Sequence, residues 1–152
     1  MTGIPPVSAN NVVLVAQAPT TEDFSTWAAN RSLSGNDAAT TADPDGDNLS
    51  NLQEYAFNLN PKVGNGSPLA SGLEMIGGET WLVIRYRRWS GPLNASLVYQ
   101  PEWSGGLASW LTSGIIDEFD SEASPVADSE PRRCRVLASD GRKFLRLNLE
   151  YP

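Results

Sequence analysis

Twelve consecutive residues constrain this chain more than any other stretch: Asp43-Pro44-Asp45-Gly46-Asp47-Asn48-Leu49-Ser50-Asn51-Leu52-Gln53-Glu54. Carboxylates stand at positions 1, 3, 5 and 12 of that run, which is the ligand spacing of an EF-hand calcium loop. Leu49, at position 7, would contribute its backbone carbonyl. Asn51, at position 9, would contribute an amide oxygen or hold a water. The first half has the residues of a loop and the second half the pattern of a helix, so Glu54 can turn back onto the ion from the first helical turn. The candidate ligands are therefore Asp43, Asp45, Asp47, Leu49, Asn51 and Glu54, and the candidate ion is Ca2+.

The spacing has a simple physical origin. Calcium takes about six to eight oxygens at roughly 2.3–2.6 Å, and alternate residues of a tightly turning loop converge on one point. Without a cation the same carboxylates repel one another, so the loop is expected to be loose when empty and ordered when filled. Position 6, where a turn of positive φ favours Gly, carries Asn48. Asn is the next-best residue in a left-handed conformation, at some loss of affinity. Asp37 is close enough in sequence to be an extra ligand or an outer partner. The plainer alternative is a solvated acidic turn that caps a helix.

The 152 residues suit one ordinary domain or a domain with a small appendage. A 40% hydrophobic content supports a packed core, and a net charge of −7 argues against nucleic acid and against anionic lipid. No run approaches the ~20 apolar residues of a membrane span, so no membrane insertion is expected. No signal peptide is legible in the opening residues. The chain has no histidine, which removes His-based triads and general bases and most zinc or iron sites. The single cysteine, Cys134, sits among Arg132, Arg133 and Arg135. Those cations could activate it, but a small side chain in a strand is the expected role.

Four segments follow from the patterning. Residues 1–19 are uncharged and Pro-flanked around Val12-Val13-Leu14-Val15-Ala16, which reads as a strand buried on both faces. Residues 20–61 read as helix, loop and helix. Thr20 or Thr21 would cap a first helix over 20–34 with Phe24, Trp27 and Ala28 on one stripe. A second helix over 50–58 would stop at Asn60-Pro61. Residues 62–78 read as a Gly/Ser/Pro linker. Residues 79–152 read as an antiparallel β-sandwich of short strands, beginning with a strong one over 80–89. Residues 133–137 and 143–149 would form a last hairpin turning at Asp140-Gly141. The fold class expected is mainly β with a small helical part: an EF-hand-like calcium unit packed on an antiparallel sandwich.

The order Phe24-x-x-Trp27-Ala28-Ala29, Leu33-Ser34-Gly35, the loop from Ala42 to Ala56, then Leu59-Asn60-Pro61 resembles the calcium-binding segments of the thrombospondin type 3 and dockerin-like kind. Those segments occur near the C-termini of large exported bacterial proteins and are followed by a β-sandwich. The resemblance covers roughly residues 22–150. It is specific in the loop and weak in the sheet. It implies a structural ion, an extracellular or cell-surface setting, and no catalytic residues.

Three functions follow as expectations. The first is a non-catalytic structural module stabilised by calcium. Its strand at residues 12–16 would complete its own sheet or enter a neighbour's sheet edge, giving a homopolymer. The second is a binding module for carbohydrate or protein, since Trp81, Trp89, Trp103 and Trp110 could stack on a glycan, although tryptophan more often fills cores. The third, an enzyme, would draw on the acidic run Asp117-Glu118-Phe119-Asp120-Ser121-Glu122, which reads better as a solvated loop. Arg85, Arg87 and Arg88 form a basic patch that could meet an acidic neighbour or simply face water.

Overall fold

The computed structural model describes residues 22–90, 97–139 and 141–152. The strand expected at residues 12–16, the possible caps Thr20 and Thr21, the turn at 91–94 and Asp140 lie outside the described residues.

The first helix, α1 (Phe24–Asn30), is shorter than the sequence suggested. It starts where Asp23 Oδ1 accepts the Thr26 N–H at 2.7 Å, a side-chain cap for an otherwise orphaned donor. It ends before Ser32, whose φ is +55°. A 3₁₀ turn (Gly35–Ala38) leads into the acidic loop. The second helix, α2 (Asn51–Phe57), follows it. Gln53 Oε1 accepts the Ser50 N–H at 2.8 Å, Asn58 takes the left-handed conformation at the C-terminus, and Leu59 N–H closes on Glu54 O at 2.8 Å.

The rest is β: β1 (Ala70–Ile76), β2 (Glu79–Trp89), β3 (Val98–Ser104), β4 (Ile115–Phe119), β5 (Ser129–Leu137) and β6 (Phe144–Glu150). They form two antiparallel sheets, one ordered β1-β2-β5-β4 and the other β3-β6. Two expectations are corrected here. The stretch 62–78 is not all linker, because β1 lies in it and pairs with β2 through Ile76↔Glu79. Gly77 and Gly78, at φ +63° and +85°, make a two-residue hairpin turn that needs positive φ at both central positions. The final hairpin does not exist: β5 pairs with β2 and β4, and β6 pairs with β3. The chain crosses from one sheet to the other between β5 and β6.

Ile84, Tyr86 and Cys134 line the inner face of the larger sheet, and Tyr99, Leu145 and Leu147 of the smaller sheet pack against them. Burial drives the Cys134 thiol up to about 12, the reverse of an activated thiolate. A second cluster joins the helices to the sheets: Trp27, Tyr55 and Ala56 pack with Trp89 and Leu97. Trp27 is fully buried, and its ring meets Phe24 and Tyr55 at 5.5 and 5.6 Å. Trp89 Nε1 donates to Tyr55 O at 2.6 Å, and Tyr99 Oη donates to Ala56 O at 2.5 Å. Two late carbonyls of α2 thus receive donors from the sheets.

Arg85, Arg87 and Arg88 each meet groups of the same chain. Arg85 and Arg133 stand directly opposite each other across β2 and β5, an unfavourable like-charge pair. Arg85 is met by Glu74, Asp120 and Glu122, and Arg133 by Glu118 at 2.8 Å. Arg88 pairs with Glu130, and Arg132 with Asp117 and Glu130. The acidic run of residues 117–122 is thereby largely committed to ion pairs.

Replacing Trp27 by Ala is expected to lower the unfolding free energy by about 3–5 kcal/mol, measured by urea denaturation with calcium present. Asp120→Ala strips a buried partner from a partly exposed arginine and should cost about 1–3 kcal/mol in the same assay.

Candidate metal centre

The acidic loop is organised by its own carboxylates. Asp43 Oδ1 accepts the N–H groups of Gly46 and Asp47 at 2.8 and 3.2 Å, and its Oδ2 accepts Asn48 N–H at 2.9 Å. Asp45 Oδ1 accepts Asp47 N–H at 3.2 Å, and Asp47 Oδ1 accepts Leu49 N–H at 2.8 Å. Each of these contacts turns the chain back on itself. Gly46 and Asn48 supply the positive φ the turns demand, at +77° and +74°. Asn48 therefore occupies the left-handed conformation for which its side chain is the best substitute for glycine.

The result is convergence. One oxygen from each of Asp43, Asp45 and Asp47 lies within 4.8 Å of the others. Two oxygens held about 2.4 Å from a common cation are at most about 4.8 Å apart, so the three carboxylates could share one ion. The backbone donors do not exhaust them, since an ionised carboxylate has about four acceptor sites. Asp45 Oδ2 is buried and has no hydrogen-bond partner.

The converging trio does not include Glu54. The first turn of α2 carries it, and it is fully buried. Its Oε1 accepts Asn65 Nδ2 at 3.2 Å, while its Oε2 is buried without a partner. Burial raises its pKa to about 7, and the charges of Asp45, Asp47 and Asp43 add to the rise.

The remaining sequence candidates occupy different roles. Asn51 is fully buried. Its Nδ2 donates to the carbonyls of Asp37 and Ala39 at 2.7 and 2.8 Å, and its Oδ1 is buried and unpartnered. It ties the 3₁₀ turn to the head of α2 and keeps an oxygen in reserve. Leu49 is fixed through its N–H, as given above. Asp37 has an exposed side chain and contributes its backbone carbonyl to Asn51.

Asn65 was not legible as a site residue. Its N–H donates to Asp47 Oδ2 at 2.5 Å, and its side chain spans Glu54 and Asn60 O. It sits in Gly64-Asn65-Gly66, which reads as linker, and no spacing rule for such loops reaches eleven residues past position 12. Among known proteins, no family model, no curated protein and no solved structure matches this chain.

The sign of the pH dependence follows from Glu54. Its pKa is raised in the folded protein, so the folded metal-free form holds a proton that the unfolded chain releases near 4.5. That contribution to stability is complete below pH 4.5 and is lost as pH rises through about 7. In the presence of a chelator, the midpoint of thermal unfolding should therefore fall between pH 5 and pH 8. Glu54→Gln should flatten that slope, as read by circular dichroism across the pH series.

Proposed function

We propose that the chain is a non-catalytic structural module whose EF-hand-like corner, packed on an antiparallel β-sandwich, is stabilised by calcium in an extracellular or cell-surface setting. One observation carries this reading. Buried oxygens of Asp45 and Glu54 have no hydrogen-bond partner, although buried polar groups are nearly always satisfied, and they belong to the carboxylates that crowd one loop. A hard divalent cation bound there would satisfy both oxygens and offset the burial, and the added repulsion of the aspartates, that raise the Glu54 pKa. The ligands proposed are Asp43, Asp45, Asp47 and Glu54 through carboxylates, Leu49 through its carbonyl, and Asn51 through the amide oxygen left free by its donor contacts.

Other features support a structural role over an active one. The carboxylates of residues 117–122 that might have served a glycosidase are engaged by Arg85, Arg132 and Arg133. Three of the tryptophans considered for a glycan platform each have a cation over the ring: Arg135 over Trp81, Lys143 over Trp103 and Arg146 over Trp110, at 4.9, 4.3 and 3.9 Å. Trp89 is buried. No helix among the described residues is long and apolar enough to cross a membrane. Outside the cell, where calcium is abundant, sites of Kd ~10⁻⁴–10⁻³ M are useful.

Calcium at a hundredfold excess over its Kd would add about 2.7 kcal/mol to folding stability, or roughly 10 °C in Tm for a domain of this size. Differential scanning calorimetry with calcium or with chelator should show that rise. Asp45→Asn and Glu54→Gln should each remove most of it. Isothermal titration should show calcium affinity weakening from pH 8 to pH 6, because the ion must displace the Glu54 proton. Identical melting with calcium and with chelator would overturn the reading.

A further inference from the structure

A residue well beyond the acidic loop hydrogen-bonds to two of its carboxylates. Asn65 N–H donates to Asp47 Oδ2 at 2.5 Å, and Asn65 Nδ2 donates to Glu54 Oε1 at 3.2 Å. Asp47 stands in the turns of the loop and Glu54 on α2, so contacts between elements set how the two side chains lie relative to each other. The Asn65 amide has a single workable orientation. Its Nδ2 also donates to Asn60 O at 3.1 Å, which gives both of its N–H groups an acceptor. Turned over, the amide would set an oxygen against a carboxylate and a carbonyl.

The segment that carries Asn65 is itself fastened. Pro61 is fully buried. Asn60 Oδ1 accepts the Lys62 N–H at 3.1 Å, and Lys62 Nζ donates to Ser32 O, just past α1, at 3.0 Å. Gly64 runs close to the loop: a Cβ placed on it would lie 3.7 Å from the Asp47 Cβ. Residues 60–65 thus form a clasp, anchored beside the ends of both helices and closed against the acidic loop by Asn65.

We infer that Asn65 is a positioning residue of the calcium centre, holding the carboxylates of Asp47 and Glu54 in the relation that one ion requires. This rests on the calcium reading given above. The oxygens that Asn65 touches keep further lone pairs, so its contacts aim the two ligands without consuming them. Glu54 Oε2, buried and without a hydrogen-bond partner, is left for the ion. Holding the long Glu54 side chain in place beforehand spares the ion the rotamer freedom it would otherwise have to freeze. Groups that orient a metal ligand in this way commonly carry about 10–100-fold in affinity.

The test titrates the full chain at pH 8 with calcium and with terbium(III), an oxygen-seeking ion of similar size whose higher charge keeps weak variants measurable. Asn65→Ala retains the backbone donor to Asp47 and removes both side-chain donors. It should bind either ion about 10–100-fold more weakly. Asn65→Ser, which keeps one donor, is the milder variant and should fall between. A residue that only supports the fold would lower the melting temperature in chelator and leave the Kd of the folded chain unchanged. On a Glu54→Met background, which has no oxygen for Asn65 to hold, Asn65→Ala should alter terbium affinity by about twofold or less. An unaltered chain that binds neither ion overturns the calcium reading and this inference with it. Binding by the unaltered chain that persists at full strength in Asn65→Ala overturns this inference alone. So does a loss of equal size with and without the Glu54 carboxylate.

Discussion

A carboxylate held out of water, with three others close by, sets the terms for the helical part of this protein. Glu54 is placed there by α2, a helix of seven residues, too short to persist alone. Its neighbours Tyr55 and Ala56 point the other way, into the core that joins helices and sheets, and their carbonyls receive donors from Trp89 and Tyr99. One short helix thus has two obligations. The sheet side fixes its position, and that position fixes how deeply Glu54 is buried. A cation at the loop, as proposed above, would offset the cost of that burial, and adjacent residues of α2 would then couple the loop to the sheets.

The loop itself was the most legible part of the chain, because its residues act locally. Asp43, Asp45 and Asp47 converge through contacts that reach only two to five residues along the sequence, and Asn48 takes the backbone conformation its residue type allows. The strand over residues 80–89 was equally legible from its β-branched and aromatic run. What sequence reading missed depends on partners far apart. β1 is a weakly patterned edge strand whose identity rests on pairing with β2. The supposed last hairpin failed because turn chemistry at Gly141 fixes a change of direction, not the sheet to which the chain returns. Asn65 reaches the site only because residues 58–65 fold back over α2.

The charges of the larger sheet show a similar dependence on tertiary context. Arginine runs in β2 and β5 look like exposed patches when read singly. Brought together, they would repel across the ladder, and the carboxylates of β1, β4 and the loop after β4 relieve that repulsion. Surface pairs of this kind contribute about 0–1 kcal/mol each. Their arrangement still favours the observed register, since a slip of one residue would move each arginine to the opposite face.

The lone cysteine gives the molecule a built-in witness to its own opening. Cys134 has no exposed surface and sits on the central strand β5 between β2 and β4. A thiol reagent can reach it only when the structure around it opens. With no second sulfhydryl in the chain, the rate of labelling counts excursions of that interior and nothing else, with no dye or tag attached beforehand.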